Sequence, residues 1–439
     1  MKNQFIERNP YSSHELADVF DTSEIRQLLG LKILESKNGK YNFTYVGVIS
    51  ARKQPIFIYP KIFDSLELNN ICLKKNLQAI ELYPKSNDRL QEGVDFFELN
   101  NESPEFSEFS IAKFLIEDYE RDGLLVFREE LFEINGSGYT DWSQTVSQLD
   151  PVFSNHRPIY FETINNMVQE DTENILIDIH KFCVSEASRK YCTFLGKDDI
   201  SSFVGQNDLD YDIEFLLESV KKQLRVTFTD REIMVMKAMI SFLSRKYSFE
   251  DDSISLYGTR NYELIWEHIC QFVLCDQYPF IKNEYSIFPN PVWDLAGSLY
   301  NSSSDLRPDL VVLEKEKVYL FDAKYYQLSI NTKKISGEPG FKDILKQFLY
   351  QKHLEEELVK KHRKVAVINN AFLFPISQIE FEELRQKNPS NDYIIKMGVA
   401  TYPLFEGKQI DILFCNFESF RDLYVKRKQI SCESIYLVN

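Results

Sequence analysis

The stretch Arg307-Pro308-Asp309-Leu310-Val311-Val312-Leu313-Glu314-Lys315-Glu316-Lys317-Val318-Tyr319-Leu320-Phe321-Asp322-Ala323-Lys324 decides the reading of this 439-residue chain. Two apolar runs rich in β-branched and aromatic residues flank the charged tetrad Glu314 to Lys317, the pattern of a β-hairpin with its turn in the charges. If Leu313 faces Val318, Asp309 falls opposite Asp322 and Arg307 opposite Lys324. Directly opposed residues of an antiparallel pair point to one face, and so do residues two apart on one strand. The expectation is that Asp309, Asp322 and Lys324 converge on one side and Ala323 points to the other. Two carboxylates so close repel unless something neutralises them. A divalent cation does so, and oxygen ligands select Mg2+, with Mn2+ as a substitute. An adjacent lysine then orients or deprotonates a water, a combination suited to phosphodiester hydrolysis.

Working outward, the chain changes character twice. Residues 1–105 read as a β-rich N-terminal domain: Tyr41 to Ile49 and Pro55 to Ile62 are strand-like runs joined by a short polar connection, and the acidic stretch 86–105 reads as a linker. Residues 106–255 read as a mostly helical middle region, with apolar residues at helical spacing over 109–119, 213–220 and 231–247. Within it, Asn135-Gly136-Ser137-Gly138 marks a turn. Residues 256–439 alternate helices (261–274, 341–362) with strands (310–313, 318–321, 365–368, 371–374), the signature of an α/β domain. The expected fold class is therefore multidomain α+β with a C-terminal α/β domain.

Composition narrows the function classes. With 44% hydrophobic residues, 15 Gly and 15 Pro, the chain can build packed cores and is neither disordered nor of low complexity. Fifty-one Lys and Arg against 67 Asp and Glu give a net charge of −16, which argues against coating nucleic acid by bulk charge. The charge is uneven: Asp305 to Arg363 holds 12 Lys and Arg against 10 Asp and Glu, leaving −18 on the rest. No run is apolar for long enough to span a membrane, and the first eight residues lack the apolar core of a secretory signal. Seven cysteines without a CxxC suit reduced thiols in the cytoplasm. Six histidines without HxxxH spacing argue against zinc, and neither GxxxxGK[ST] nor GxGxxG occurs, so the chain shows no nucleotide-binding loop of its own.

Pro308-Asp309, twelve intervening residues and Asp322-Ala323-Lys324 resemble the motif of the PD-(D/E)xK nuclease superfamily. That resemblance implies a nuclease fold over 256–439 and a further acidic ligand on the preceding helix, where Glu263 and Glu267 share one face and Glu267 is preferred. It also implies that Gln347, in the stripe Asp343, Lys346, Gln347 and Tyr350, faces the active site. The implied catalytic set is Asp309, Asp322, Lys324, Glu267 and Gln347, with Asp309, Asp322 and Glu267 holding Mg2+ or Mn2+.

Other segments extend the likeness. Val46-Gly47-Val48-Ile49 with Ile56 to Ile62, then Asn135 to Gly138 with Trp142 and Thr145, then Gly340, Asp343, Lys346-Gln347, Tyr350 and Asn370 to Pro375, resemble LlaJI-type restriction endonucleases in order. The resemblance implies a double-stranded-DNA-cleaving subunit similar to McrC, working with an AAA+ GTPase similar to McrB. It leaves homo-oligomerisation open. On this reading residues 1–255 dock the partner, with Tyr45 to Ile62 and Glu133 to Trp142 as contact elements or plain core. The competing readings are a non-catalytic nuclease-fold protein that docks or regulates an NTPase, and a self-sufficient repair or transposition nuclease. The intact Asp309, Asp322 and Lys324 favour cleavage.

Overall fold

The computed structural model describes residues 4–51, 54–83, 107–204, 211–247, 254–285, 292–301, 307–331, 334–360, 367–388 and 390–436. The chain divides into two compact units, Met1–Glu105 together with Ser253–Asn439, and Phe106–Asp252. The N-terminal and C-terminal segments, read from the sequence as separate domains, thus share one unit. The polar stretch 86–105 and residues 248–253 of the second boundary lie outside the described residues.

In the first unit, a four-stranded sheet runs in the order Gln4–Ile6, Pro55–Tyr59, Val46–Ser50, Ser255–Thr259. Its last strand comes from beyond the second unit and pairs antiparallel with Val46–Ser50, Gly258 opposite Gly47. The two glycines are required there: a Cβ on Gly47 would lie 2.2 Å from the Tyr257 carbonyl oxygen, and one on Gly258 2.2 Å from that of Val46. Phe5, Leu16, Phe20, Leu28, Phe43, Tyr45, Ile49 and Ile56 fill the core beside this sheet. Val46 to Ile49 and Ile56 to Tyr59 are wholly buried, so of the two roles left open for this hairpin, contact element or core, its strands are core.

The second sheet of this unit has the order Leu310–Glu314, Lys317–Ala323, Val367–Ile376, Ile410–Asn416, Ile394–Ala400. The first pair is antiparallel with Leu313 opposite Val318, the register read from the sequence. Lys317–Ala323, Val367–Ile376 and Ile410–Asn416 are mutually parallel, and the edge strand Ile394–Ala400 is antiparallel with an irregularity between Lys396 and Gly398. Central strands covered on both faces read as continuous apolar runs, as Val318-Tyr319-Leu320-Phe321 and Phe372-Leu373-Phe374 do. The helix Phe341–Lys360 packs Tyr350, Leu354 and Leu358 with Val311, Val318 and Leu320. Elsewhere in the unit, Trp266 of the helix Tyr262–Val273 packs its indole against Phe417 and Phe420 of the helix Phe417–Val425. Two strands expected at 365–368 and 371–374 are one strand, Val367–Ile376, with residues 365 and 366 outside the described set. Asn370, inside that strand, donates its Nδ2 to Gln351 Oε1 at 2.9 Å, which satisfies the buried amide nitrogen.

The second unit holds the helices Glu108–Asp122, Ile175–Leu195, Ile213–Leu224 and Asp230–Tyr247. The expected helical region is interrupted by strands: Arg128–Ile134, Ile164–Glu170 and Tyr139–Thr140 form an antiparallel sheet, and Val152–Ser154 pairs with Arg157–Ile159. Most residues of Arg128–Ile134 are exposed, so the strand lacks the apolar–polar alternation by which a half-buried strand is recognised. The Asn135-to-Thr145 segment is fixed by its own bonds. Asn135 Oδ1 accepts from the Thr163 amide, Thr145 Oγ1 accepts from the Ile164 amide, and a Cβ on Gly138 would meet the Asn166 carbonyl oxygen at 2.1 Å.

Candidate active site

The hairpin places the charged residues where its pairing ends. The last matched pair at the open end is Leu310 with Phe321. Asp309 lies one residue beyond it, and its Oδ2 accepts from the Ala323 amide at 2.9 Å, which clamps the carboxylate across the end of the hairpin. Lys324 Nζ sits 2.8 Å from Asp322 Oδ2 and 3.3 Å from Asp343 Oδ1. Asp343 comes from the first turn of the helix Phe341–Lys360, where its Oδ2 also accepts from the Gly340 amide. Asp309, Asp322 and Lys324 are thus brought together, and Asp343, read from the sequence as part of a polar stripe and of the LlaJI-type likeness but not as a site residue, joins them.

A second helix closes the site. Gln271 Nε2 donates to Glu267 Oε1 at 2.9 Å and to the Asp309 backbone oxygen at 3.0 Å, tying Glu267 to the strand that carries Asp309. Glu267 senses the charges of Arg307 and Asp322, whereas Glu263 acts on Lys61 instead. Gln271, four residues after Glu267, lies on the same helical face and is the positioning side chain that sequence reasoning passed over. Tyr350 of the polar stripe donates its hydroxyl to the Arg307 backbone oxygen at 2.9 Å. Gln347 goes elsewhere. It is 1% exposed, its Nε2 lies 3.4 Å from the Leu320 carbonyl oxygen, and its Oε1 has no protein partner among the described residues.

The electrostatics are those of a site with excess negative charge. Burial pushes the Asp309 carboxyl well above the usual carboxylate range, and the charges of Asp322 and Glu267 push it further. Burial also raises Glu267 against the pull of Arg307, and raises Asp322 against the pull of Lys324. For Lys324, burial works against the charge, but Asp322, Asp343 and Asp309 outweigh it and hold the ammonium protonated. The Tyr350 hydroxyl is pushed up to about 12 by burial and by Asp309 and Asp322.

The residues fit a hard divalent cation in one particular way. Among the described residues no three His, Cys, Asp or Glu side chains form a ready-made metal cage. Asp309 and Asp322, which repel one another, with Glu267 nearby, would suit an open site in which water or phosphate supplied the other ligands, as Mg2+ prefers.

The family model described as LlaJI restriction endonuclease matches residues 45–394. The chain belongs to that family. Over 420 residues it is 29% identical to the type II restriction enzyme BsuMI component YdjA of Bacillus subtilis strain 168, covering 92% of this chain and 85% of that relative. Among solved structures it is similar to a chain of a refined half-complex from a tetradecameric assembly of Thermococcus gammatolerans McrB AAA+ hexamers with bound McrC. That match has a TM-score of 0.40 and 15% identity, over 96% of this chain and 99% of the other. A chain of the Thermococcus gammatolerans McrBC complex matches with a TM-score of 0.28 and 17% identity, over 54% of this chain and 79% of the other. No described helix is long and apolar enough to cross a membrane.

Proposed function

We propose that this chain is the DNA-cleaving subunit of a restriction system that acts against invading DNA, hydrolysing phosphodiester bonds with Mg2+, or Mn2+ in its place, through a PD-(D/E)xK-type centre. The observation that carries the proposal is the convergence of Asp309, Asp322 and Lys324 at the open end of one hairpin. Asp309 and Asp322, with Glu267 beside them, would hold the cation, which would supply positive charge against the phosphate and a more nucleophilic water. The chain's own residues do the positioning. The Ala323 amide holds the Asp309 carboxylate, and Gln271 holds Glu267. Lys324, with its Nζ 2.8 Å from Asp322 Oδ2, orients or deprotonates the attacking water and faces the charge that grows on the phosphate. Gln347, buried under Leu320, supports the strand from within the core and is given no contact with DNA.

We further propose an AAA+ GTPase partner similar to McrB. The chain has no phosphate-binding loop, and its Bacillus subtilis relative is named as one component of a restriction enzyme. The second unit offers apolar side chains to a partner: Ile134, Tyr139, Trp142, Phe153 and Phe161 are all exposed, Tyr139 at 89%. The test is cleavage of DNA by the purified chain, alone and with the product of its neighbouring gene, with and without GTP. Cleavage that needs partner and nucleotide supports the reading. Efficient cutting at a defined site by the chain alone refutes the subunit model and leaves a self-sufficient nuclease.

A further inference from the structure

Directly after Lys324 the chain enters a buried polar cluster that the reaction itself does not use. Tyr325 is 4% exposed and Glu7 3%. The Tyr325 hydroxyl donates to Glu7 Oε2 at 2.8 Å and accepts from the Lys61 amide at 3.2 Å, and that amide also lies 3.4 Å from Glu7 Oε2. Lys61 Nζ stands 4.2 Å over the Tyr325 ring, and the Tyr262 ring lies 5.5 Å from it. Tyr262 opens the helix that carries Glu267. Glu7 follows the first strand of the four-stranded sheet, whereas Tyr325 follows the catalytic strand of the five-stranded one. Glu7 and Tyr325 are 318 residues apart in sequence and belong to the same compact unit.

We infer that Tyr325, held by Glu7 and by the Lys61 amide, is the positioning device that fixes Lys324 toward the scissile phosphate, so that the N-terminal strand takes part in catalysis. The inference rests on the proposed nuclease centre. Its physical basis is the way Lys324 is held. The sheet ends at Ala323, and the Lys324 amide still donates to the Leu373 carbonyl at 2.9 Å. That bond fixes the backbone on one side of Lys324 only. On the other side the anchor is the Tyr325 side chain, through its bonds with Glu7 and the Lys61 amide, followed by Gln327, whose Nε2 donates to the Lys61 carbonyl oxygen. Lys324 Nζ stands at the end of a four-carbon stem, so a small backbone rotation at 324 becomes a displacement of about 1 Å at the ammonium. A misplacement of that size costs about 100-fold in rate. Both hydrogen bonds to Glu7 go to Oε2, so a glutamine that turns its single oxygen there keeps them, whereas an alanine loses both.

The experiment compares Tyr325→Phe, Glu7→Ala, Glu7→Gln and Asp322→Ala, using the components under which the unaltered chain cuts DNA. Cleavage is measured well below each variant's melting temperature, and DNA binding is measured separately by fluorescence anisotropy in EDTA. The expected result is a kcat about 10- to 100-fold lower for Tyr325→Phe and Glu7→Ala. KM and DNA affinity should stay within about twofold, and Glu7→Gln should return kcat to within a few-fold of the unaltered chain. Unaltered kcat in both Tyr325→Phe and Glu7→Ala overturns the inference, and so does a loss that merely follows the unfolded fraction. Full cleavage by Asp322→Ala, or none by the unaltered chain, overturns the nuclease reading beneath it.

Discussion

Asp309 shows how a residue can serve a site at the expense of the fold. Its carboxyl is buried, close to Asp322 and Glu267, and its pKa is raised well above the ordinary range. A carboxyl whose folded pKa exceeds its unfolded value favours the fold only while protonated, so this contribution is present below the unfolded pKa and fades as pH rises through the folded one. Above its folded pKa the ionised group is therefore a burden in the absence of bound metal. Asp309→Asn should raise the melting temperature by roughly one to a few degrees while abolishing cleavage, and calorimetry beside a nicking assay checks both. A lower melting temperature would mean that Asp309 is a structural ion pair. Asp322→Ala should reduce cleavage by on the order of a thousandfold or more with little change in stability. The motif residues were legible because chain-local rules suffice to place them: strand alternation and a two-strand register. Gln347, which the resemblance places facing the active site, is buried beside the Leu320 carbonyl oxygen, a burial that only the packed helix reveals. The Tyr325–Glu7 bond spans 318 positions, beyond the reach of any local pattern.

At the scale of elements, the hairpin register was readable because apolar runs on both sides of four charged residues permit one register that keeps both faces satisfied. The strands between residues 128 and 170 were not readable, since a sheet with much of its surface in solvent needs no alternation. The strand Ser255–Thr259 was missed because its partner lies some two hundred residues earlier. That pairing depends on Gly47 facing Gly258. Gly47→Ala would push a methyl into the Tyr257 carbonyl and should cost about 2 kcal/mol or more, seen as a lower denaturation midpoint. In the second unit, His180 is wholly buried with Nδ1 accepting from the Leu125 amide, and burial pushes its pKa down to about 4. A histidine with a depressed folded pKa stabilises fully above its unfolded value of about 6.5, and that stability is lost as pH falls toward 4, up to roughly 3 kcal/mol. Protection factors for the helix Ile175–Leu195 should therefore drop between pH 7 and 4.5. Protection that holds constant across this range would contradict the neutral, buried imidazole.

At the scale of the whole molecule, charge and architecture divide the work. In a chain of net charge −16 the 67 acidic side chains outweigh the 51 Lys and Arg and repel DNA phosphates, so the isolated protein should bind duplex DNA weakly. Anisotropy titrations at physiological salt are expected to show no tight complex until a partner is added. The central claim is that Asp309, Asp322 and Lys324 form a metal-dependent hydrolytic centre, and one measurement tests it most directly. The unaltered chain and Asp322→Ala, each reconstituted with the partner component, are incubated with cognate DNA in Mg2+ and in EDTA, and the cut strands are counted. The account predicts cutting by the unaltered chain in Mg2+ alone, and none by Asp322→Ala in either condition. Cutting by Asp322→Ala at the unaltered rate, or equal cutting in EDTA, would contradict it.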